Sequence, residues 1–389
     1  MGKRVRVAFL GLGQRGLQHV RNVLQLQQAG AAEIVAMGDA FDANIAPAKL
    51  QEYVPGIDTN DILLTTDFNQ VLESKPDALY ICIPPNVHTG QVNQAAEAGV
   101  HLFVEKPVSL FLDEAVEMDR VIAKSGIIST VGFNQRYDAG HEAVHSFLQD
   151  KRPVMAEYTR HDALEGHSVK HMQTEAVGGP VNRVWTASRA WSGGTLVEAG
   201  IHLLDLWRYW FGEVEWVQAS YVHRPPAEII DGADNPYAYV ATFAFANGVL
   251  GSMNMSRLRR VFRGFGNHLV LWNEGQLEVE QNAVTAYHYD GPYPPAQKPA
   301  VDSLRTQLPQ PEVVPGGGTF TISQAFVQAV AEENPELIRS PFDEAMGSLV
   351  AVIAGNVSDE LDGKRVYVKD LLNSPEYAKF RAKPAKTTA

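Results

Sequence analysis

Residues Val5 to Gly16 read VRVAFLGLGQRG, an apolar run passing directly into a Gly-x-Gly-x-x-Gly turn made by Gly11, Gly13 and Gly16. Val5 to Leu10 suits a buried strand. A helix over Leu17 to Gln28 would aim unpaired N–H groups and its positive dipole end at a pyrophosphate. In this arrangement Gly11 permits the tight turn, Gly13 lets phosphates approach the backbone, and Gly16 lets the helix lie close on the strand. A second apolar run, Ile34 to Met37, ends in Gly38 and Asp39, about 20 residues beyond the last glycine, as a dinucleotide fingerprint requires. The Asp39 carboxylate can accept ribose hydroxyls, whereas a 2′-phosphate there would meet like charge, which favours NAD over NADP. Arg15 keeps NADP open, because a guanidinium can pair with an extra phosphate. The competing reading of Asp39 is a cap for a helix beginning near Ala43.

The 389 residues exceed one typical domain, and a 45% hydrophobic content can supply two cores. A net charge of -12 argues against a nucleic-acid partner, which calls for a basic surface. Cys82 is the single cysteine, so an intrachain disulfide and a thiolate metal cluster are both excluded, and a reducing cytoplasm is the expected compartment. Its place in the apolar run Leu79 to Ile83 suits a small core residue. Arg6 interrupts the apolar start and no cleavage site follows, so no signal peptide is expected. Arg6 also stands where myristoylation would favour Ser or Thr. No apolar run reaches the roughly 18 residues a membrane span needs.

Strand and helix signals alternate through the first third. Ala78 to Ile83 reads as a strand, Val87 to Ala98 as a helix, His101 to Glu105 and Ile128 to Val131 as strands, and Asp113 as the cap of a helix reaching about Lys124. This is doubly wound α/β patterning. From Val154 the pattern changes to alternating runs at Val214 to Val222, Tyr237 to Phe245, Val249 to Met255, His268 to Trp272 and Ala283 to Tyr289, which predict an antiparallel sheet. Asn247-Gly248 and Asn273-Glu274-Gly275 supply turns between them. Gly291 to Pro299 and Pro315 to Gly318 read as loops, and Lys383 to Ala389 as a frayed tail. The expected division is a dinucleotide-binding Rossmann domain over 1–133 and a substrate-binding and oligomerisation domain over 134–389, with a C-terminal helix free to return to the first domain.

Five motifs in order carry a family resemblance: GLGQRG at the start, ICIPPNVH from Ile81 to His88, HLFVEKPVS from His101 to Ser109, VGFNQRY from Val131 to Tyr137 and GGTLVEAGIHLLD from Gly193 to Asp205. Together they resemble the Gfo/Idh/MocA family of nicotinamide-dependent oxidoreductases. The resemblance implies an N-terminal Rossmann domain, a C-terminal domain with an open antiparallel sheet, a homodimer or homotetramer, and redox chemistry on sugars and inositols. It also implies cofactor contacts from Gln14 and Arg15 beside the glycines, from Pro84, Asn86 and His88 after the third strand, and from Glu105 and Lys106. Asn86 has a second reading as a helix cap before Val87.

Lys106 follows a strand, so it would emerge at the carboxyl end where doubly wound sheets bind ligands. An ammonium there can hydrogen-bond the reacting oxygen and stabilise developing negative charge, with Pro107 fixing the backbone after it. The resemblance implies the same role. In a predicted helix over Thr195 to Phe211, Glu198 and His202 are four residues apart and Asp205 three further, so all three can share one face. His202 is the expected acceptor of the hydroxyl proton as hydride leaves the same carbon. The family has Asp where this chain has Glu198. The extra methylene leaves open whether Glu198 binds substrate, tunes His202 or does neither, with substrate binding favoured. Asp205 reads equally as structural or as site support. Asn134 and Arg136 border the substrate or nicotinamide in one reading, and Arg136 is an interdomain salt-bridge partner in another.

Residues 160–191 are rich in His161, His167, His171, Trp185, Trp191, Arg160, Arg183 and Arg189, and are expected to shape the pocket. His167 and His171 have i, i+4 spacing, but no HExxH-like carboxylate accompanies them and hydride transfer needs no metal, so none is expected. The functional expectation is NAD-dependent hydride exchange between nicotinamide and a secondary alcohol or ketone of a sugar, inositol or related polyol. Three alternatives are glycosidase-like cleavage through transient oxidation by tightly held NAD, a non-catalytic nucleotide-sensing regulator, and reduction of a non-sugar ring.

Overall fold

The computed structural model describes residues 3–163, 185–229, 232–258, 264–280, 283–289, 291, 300–309 and 315–383. A six-stranded parallel sheet holds β1 (Val5–Leu10), β2 (Ala32–Gly38), β3 (Leu63–Thr65), β4 (Ala78–Ile81), β5 (His101–Val104) and β6 (Ser129–Val131), in the order β3-β2-β1-β4-β5-β6. That is the strand order of dinucleotide-binding sheets, with the switch point between β1 and β4. The sequence explains why the centre is where it is. β4 is buried along its whole length and β1 exposes only Arg6, as continuous apolar strands covered on both faces must be. The helix Gln14–Gln28 follows β1 and starts three residues before the predicted Leu17.

Two local expectations are corrected here. Asp113 does not cap its helix: Leu112–Ser125 starts after Phe111, and Asp113 lies inside the first turn, where a negative charge meets the positive end of the helix dipole. The predicted helix Val87 to Ala98 begins later, at Gln91, after a short 3-10 turn over Pro85–Val87.

The second sheet has nine strands: β7 (Pro153–Ala163), β8 (Val214–Val222), β9 (Ala238–Phe245), β10 (Leu250–Leu258), β11 (Phe265–Trp272), β12 (Gly275–Glu280), β13 (Ala283–His288), β14 (Arg305–Gln307) and β15 (Val366–Tyr367). Their order is β14-β13-β12-β11-β7-β10-β9-β8-β15. The pairing is antiparallel except between β7 and β10, which run parallel. Gly248, at φ +91°, makes the β9–β10 turn that Asn247-Gly248 predicts, and its N–H donates to Phe245 O over 2.9 Å.

One face of this sheet is covered by Phe342–Glu360, a helix whose Leu349, Val350, Ile353 and Val357 join the core with Val217 and Phe243. The helix Gly317–Glu332 takes another course. Its Ile322, Phe326 and Val330 enter the core formed by Phe9 and Tyr80 of the first sheet and Val20 of Gln14–Gln28. The first sheet is therefore covered partly by a late segment of the chain. No helix among the described residues is long and apolar enough to cross a membrane.

Candidate active site

The carboxyl ends of β1, β2, β4 and β5 open onto a cleft of about 510 Å³. Its wall combines Gly11, Gly13 and Asp39 of the first sheet's loops with Lys106 and, from the second half of the chain, Trp191 and Glu198. Gly11 has φ +94°, and a Cβ there would stand 2.7 Å from the Cys82 carbonyl. A Cβ on Gly16 would stand 1.9 Å from Gly11 O, so only glycine lets the helix sit this close to the turn. At Gly13 a Cβ would meet nothing within 4 Å. The backbone there is open to the cleft. The helix Gln14–Gln28 begins with no side-chain cap and no acidic residue in its first turn, which leaves its dipole end suited to an anion. These residues fit a dinucleotide.

Asp39 is buried and still lines the cleft. Its Oδ2 accepts Leu12 N–H at 2.7 Å, and its Oδ1 accepts Phe41 N–H at 3.1 Å and the Asn44 amide at 3.0 Å. The carboxylate therefore ties the glycine turn to the end of β2. It does not cap the helix Asp42–Ile45, which starts after Phe41 without a side-chain cap.

Lys106 Nζ donates to Glu198 O at 2.8 Å and to Glu198 Oε1 at 3.0 Å. Glu198 therefore partners the ammonium. The change from the expected face has a backbone cause. The segment predicted as one helix over Thr195 to Phe211 is a π-helical turn, Leu196–Gly200, followed by the α-helix Ile201–Phe211. The wider turn alters the angular offset of residues four apart. Lys106 and Glu198 line the cleft, whereas His202 is not among its lining residues. His202 Nδ1 is buried with no hydrogen-bond partner, and burial, then the Lys106 and Arg15 charges, hold the imidazole well below its ordinary value.

Glu105 lines the cleft and is held from behind. His19 Nε2 lies 2.7 Å from Glu105 Oε1, Arg15 Nε lies 3.6 Å from the same oxygen, and Lys106 N–H donates to Oε2 over 3.2 Å. Burial, the largest influence, pushes the carboxyl up, but the His19 bond and the Arg15, His19 and Lys106 charges outweigh it and leave the group below its usual range. His19 Nδ1 also reaches Ser323 Oγ at 3.3 Å, linking the late helix to this hub. We did not anticipate His19 from sequence. Its one available signal is a polar residue three positions after Gly16, on the helix face turned to the sheet.

Arg136 and Asp205 pair with each other. Arg136 is fully buried and does not line the cleft. Its Nε and Nη2 donate to Asp205 at 2.7 and 2.8 Å, and its Nη1 donates to Arg339 O and Glu344. This salt bridge joins residues within 134–389, so it is not the interdomain pair of the second reading. Ser348 Oγ also donates to Asp205 Oδ1, at 2.9 Å. Asn134 is likewise turned away from the cleft lining, its amide donating to Thr319 Oγ1 at 3.1 Å. Asn86 lies inside the 3-10 turn and makes no cap; its Oδ1 is buried without a partner. His88 is buried, its Nδ1 unpartnered, its pKa pushed down to about 4 by burial first and the Lys383 charge second. Neither Asn86 nor His88 is among the cleft lining, whereas Gln14, Arg15 and Pro84 are.

Of residues 160–191, Trp191 and Thr186 reach the cleft wall. Arg160 pairs with Asp162, and His161 meets Ser256 Oγ at 2.8 Å. Arg189 approaches Glu360 at 3.7 Å. His167, His171, Arg183 and the Trp185 side chain lie outside the described residues. Among the described residues no group of three or more His, Cys, Asp or Glu is placed to hold a metal.

A parallel sheet in this order, with a glycine turn after β1 and an acidic residue after β2, fits a Rossmann-type dinucleotide-binding domain. Residues 5–133 match the model of the oxidoreductase family with NAD-binding Rossmann fold, and residues 167–275 match that of the GFO/IDH/MocA C-terminal domain. The chain belongs to the Gfo/Idh/MocA family. It is 29% identical over 268 residues to the uncharacterised oxidoreductase YrbE of Bacillus subtilis, covering 66% of this chain and 68% of that one. It is 27% identical over 266 residues to the scyllo-inositol 2-dehydrogenase (NAD(+)) of the same organism, again covering 66% and 68%. An oxidoreductase of Thermotoga maritima has the same fold at TM-score 0.74 and 18% identity, over 95% of this chain and all of that one.

Proposed function

We propose that this enzyme catalyses reversible NAD-dependent oxidation of a secondary alcohol in a sugar, inositol or related polyol. The observation that carries the reading is the Lys106 ammonium in the wall of the cleft that the glycine turn also lines, with two of its three N–H groups directed to Glu198 O and Oε1. The third N–H is the one to meet the reacting oxygen, where it stabilises negative charge as the alcohol becomes a carbonyl. Glu198 then acts as the positioning partner of Lys106. His202 lies behind the cleft lining and is kept neutral by burial and by Lys106; its part in this reading is to accept the hydroxyl proton. Gly11, Gly13, Gln14, Arg15 and Asp39 hold the dinucleotide, and bound nicotinamide supplies the two-electron acceptor or donor. Trp191 offers a flat apolar surface to a sugar ring. The inositol dehydrogenase likeness supports a polyol substrate.

We further propose 1–133 as the cofactor domain and 134–389 as the substrate domain, working in the cytoplasm as a homodimer or homotetramer. Val222, Val240, Leu250 and Phe265 are exposed and by register share the face of the second sheet opposite the helix Phe342–Glu360, which suits an interface between copies. The test of activity is a screen of inositols, sugars and glycosides with NAD, followed at the reduced-nicotinamide absorbance band. Substrate-dependent absorbance supports the reading, and glycoside cleavage without net absorbance would replace it with transient oxidation.

A further inference from the structure

Behind the ribose end of the cleft lies a charge that the cofactor reading does not use. Lys49 is fully buried. Its Nζ is solvated by two oxygens, Leu12 O at 3.4 Å and Asn44 Oδ1. Asn44, thus oriented, turns its amide N–H toward Asp39 Oδ1 at 3.0 Å. Leu12 closes the loop from the other side, its N–H donating to Asp39 Oδ2 at 2.7 Å. Lys49, Asn44, Leu12 and Asp39 therefore form one hydrogen-bonded unit, with Asp39 and Asn44 at the cleft surface and the ammonium beneath them.

A buried cation is retained where polar contacts and an opposite charge compensate it. The oxygens supply the first, and Asp39 supplies the second across the Asn44 side chain. Burial lowers the Lys49 pKa, and Asp39 raises it in partial compensation. The converse holds for the cleft. Any anion arriving beside Asp39 meets the carboxylate charge already offset from below.

Resting on the assignment of Asp39 to the ribose, we propose that Lys49 sets the strength of cofactor discrimination: its charge tempers the repulsion that Asp39 exerts on a 2′-phosphate. Asp39 keeps its Leu12 and Phe41 N–H bonds without Lys49, so its position for ribose hydroxyls does not depend on the ammonium. Removing the ammonium then acts chiefly on the phosphorylated cofactor.

The test is equilibrium binding of NADH and NADPH, followed by nicotinamide fluorescence, in wild type, Lys49→Met and Lys49→Gln. Gln keeps a hydrogen-bonding head at the site and covers the case in which Met prevents folding. The expected result is an NADH dissociation constant within about threefold of wild type and an NADPH constant weakened roughly tenfold in either variant. Equal effects on the two cofactors, or a relative gain for NADPH, would overturn the proposal. Asp39→Asn separates this from the reading on which it rests. If that substitution leaves the NADH-to-NADPH ratio unchanged, the ribose assignment of Asp39 fails. If it collapses the ratio while the Lys49 variants leave it unchanged, only the Lys49 proposal fails.

Discussion

His202 shows how a residue's chemistry follows from what surrounds it. Burial and two cations all disfavour imidazolium, so the ring is neutral at neutral pH and able to accept a proton. An activity limb belonging to His202 lies on the acid side of about 6.5, the ordinary imidazole value. Arg15→Gln removes one of the cations, so the limb should move to higher pH in a kcat profile. A limb that stays in place or moves to lower pH would show that Arg15 does not act on the base. Several residues could not be assigned from sequence for the same reason. Arg136 resembles a substrate-binding arginine until Asp205 and Glu344, 69 and 208 positions away, enclose it. Lys49 lies on a helix with nothing in its local sequence to mark it as buried.

Elements whose environment is encoded locally were the legible ones. β1 and β4 are continuous apolar runs with turn residues after them, and their bounds follow from that. β3 was missed because three residues at a sheet edge, only the last of them buried, carry no periodicity. β7 was missed because its eleven residues include Glu157, Arg160 and Asp162, whose charges face outward or pair across strands. The π-helical turn at Leu196–Gly200 is invisible to a helical-wheel argument, so the pairing of Glu198 with Lys106 could not be read from its spacing to His202. The glycine turn supports a sharper test at the same scale. Gly16→Ala places a methyl against Gly11 O, so it should displace the helix, lower Tm and abolish NADH binding together. Gly13→Ala meets open space, so it should leave Tm within a few degrees and weaken NADH alone. Calorimetry and fluorescence titration of both variants check this, and equal Tm losses would contradict it.

At the scale of the whole molecule, the two halves share one cleft and one stability. The helix Gly317–Glu332 completes the core of the first sheet, so Phe326→Ala should cost about 3 to 5 kcal/mol and be felt at the cofactor site through Ser323 and His19. Buried neutral histidines set the acid response. His268 accepts the Trp207 indole N–H at 3.0 Å, and burial, then His141, push its pKa down to about 3; His88 is pushed down to about 4. Both are lowered by folding, so their contribution is present above the unfolded value of about 6.5 and is lost as pH falls toward 4 and 3. For His268 alone this reaches on the order of 3 kcal/mol at pH 4. Unfolding at stepped pH should show Tm falling through this window, less steeply in His268→Gln.

The central claim is that Lys106 acts on the substrate and not as an anchor for the cofactor. Lys106→Met tests it most directly, by single-turnover kinetics alongside an NADH titration. The expected result is a redox step slowed roughly a hundredfold or more with NADH affinity within a few-fold of wild type. A rate near wild type, or a large loss of NADH binding that accounts for the slower turnover, would contradict it.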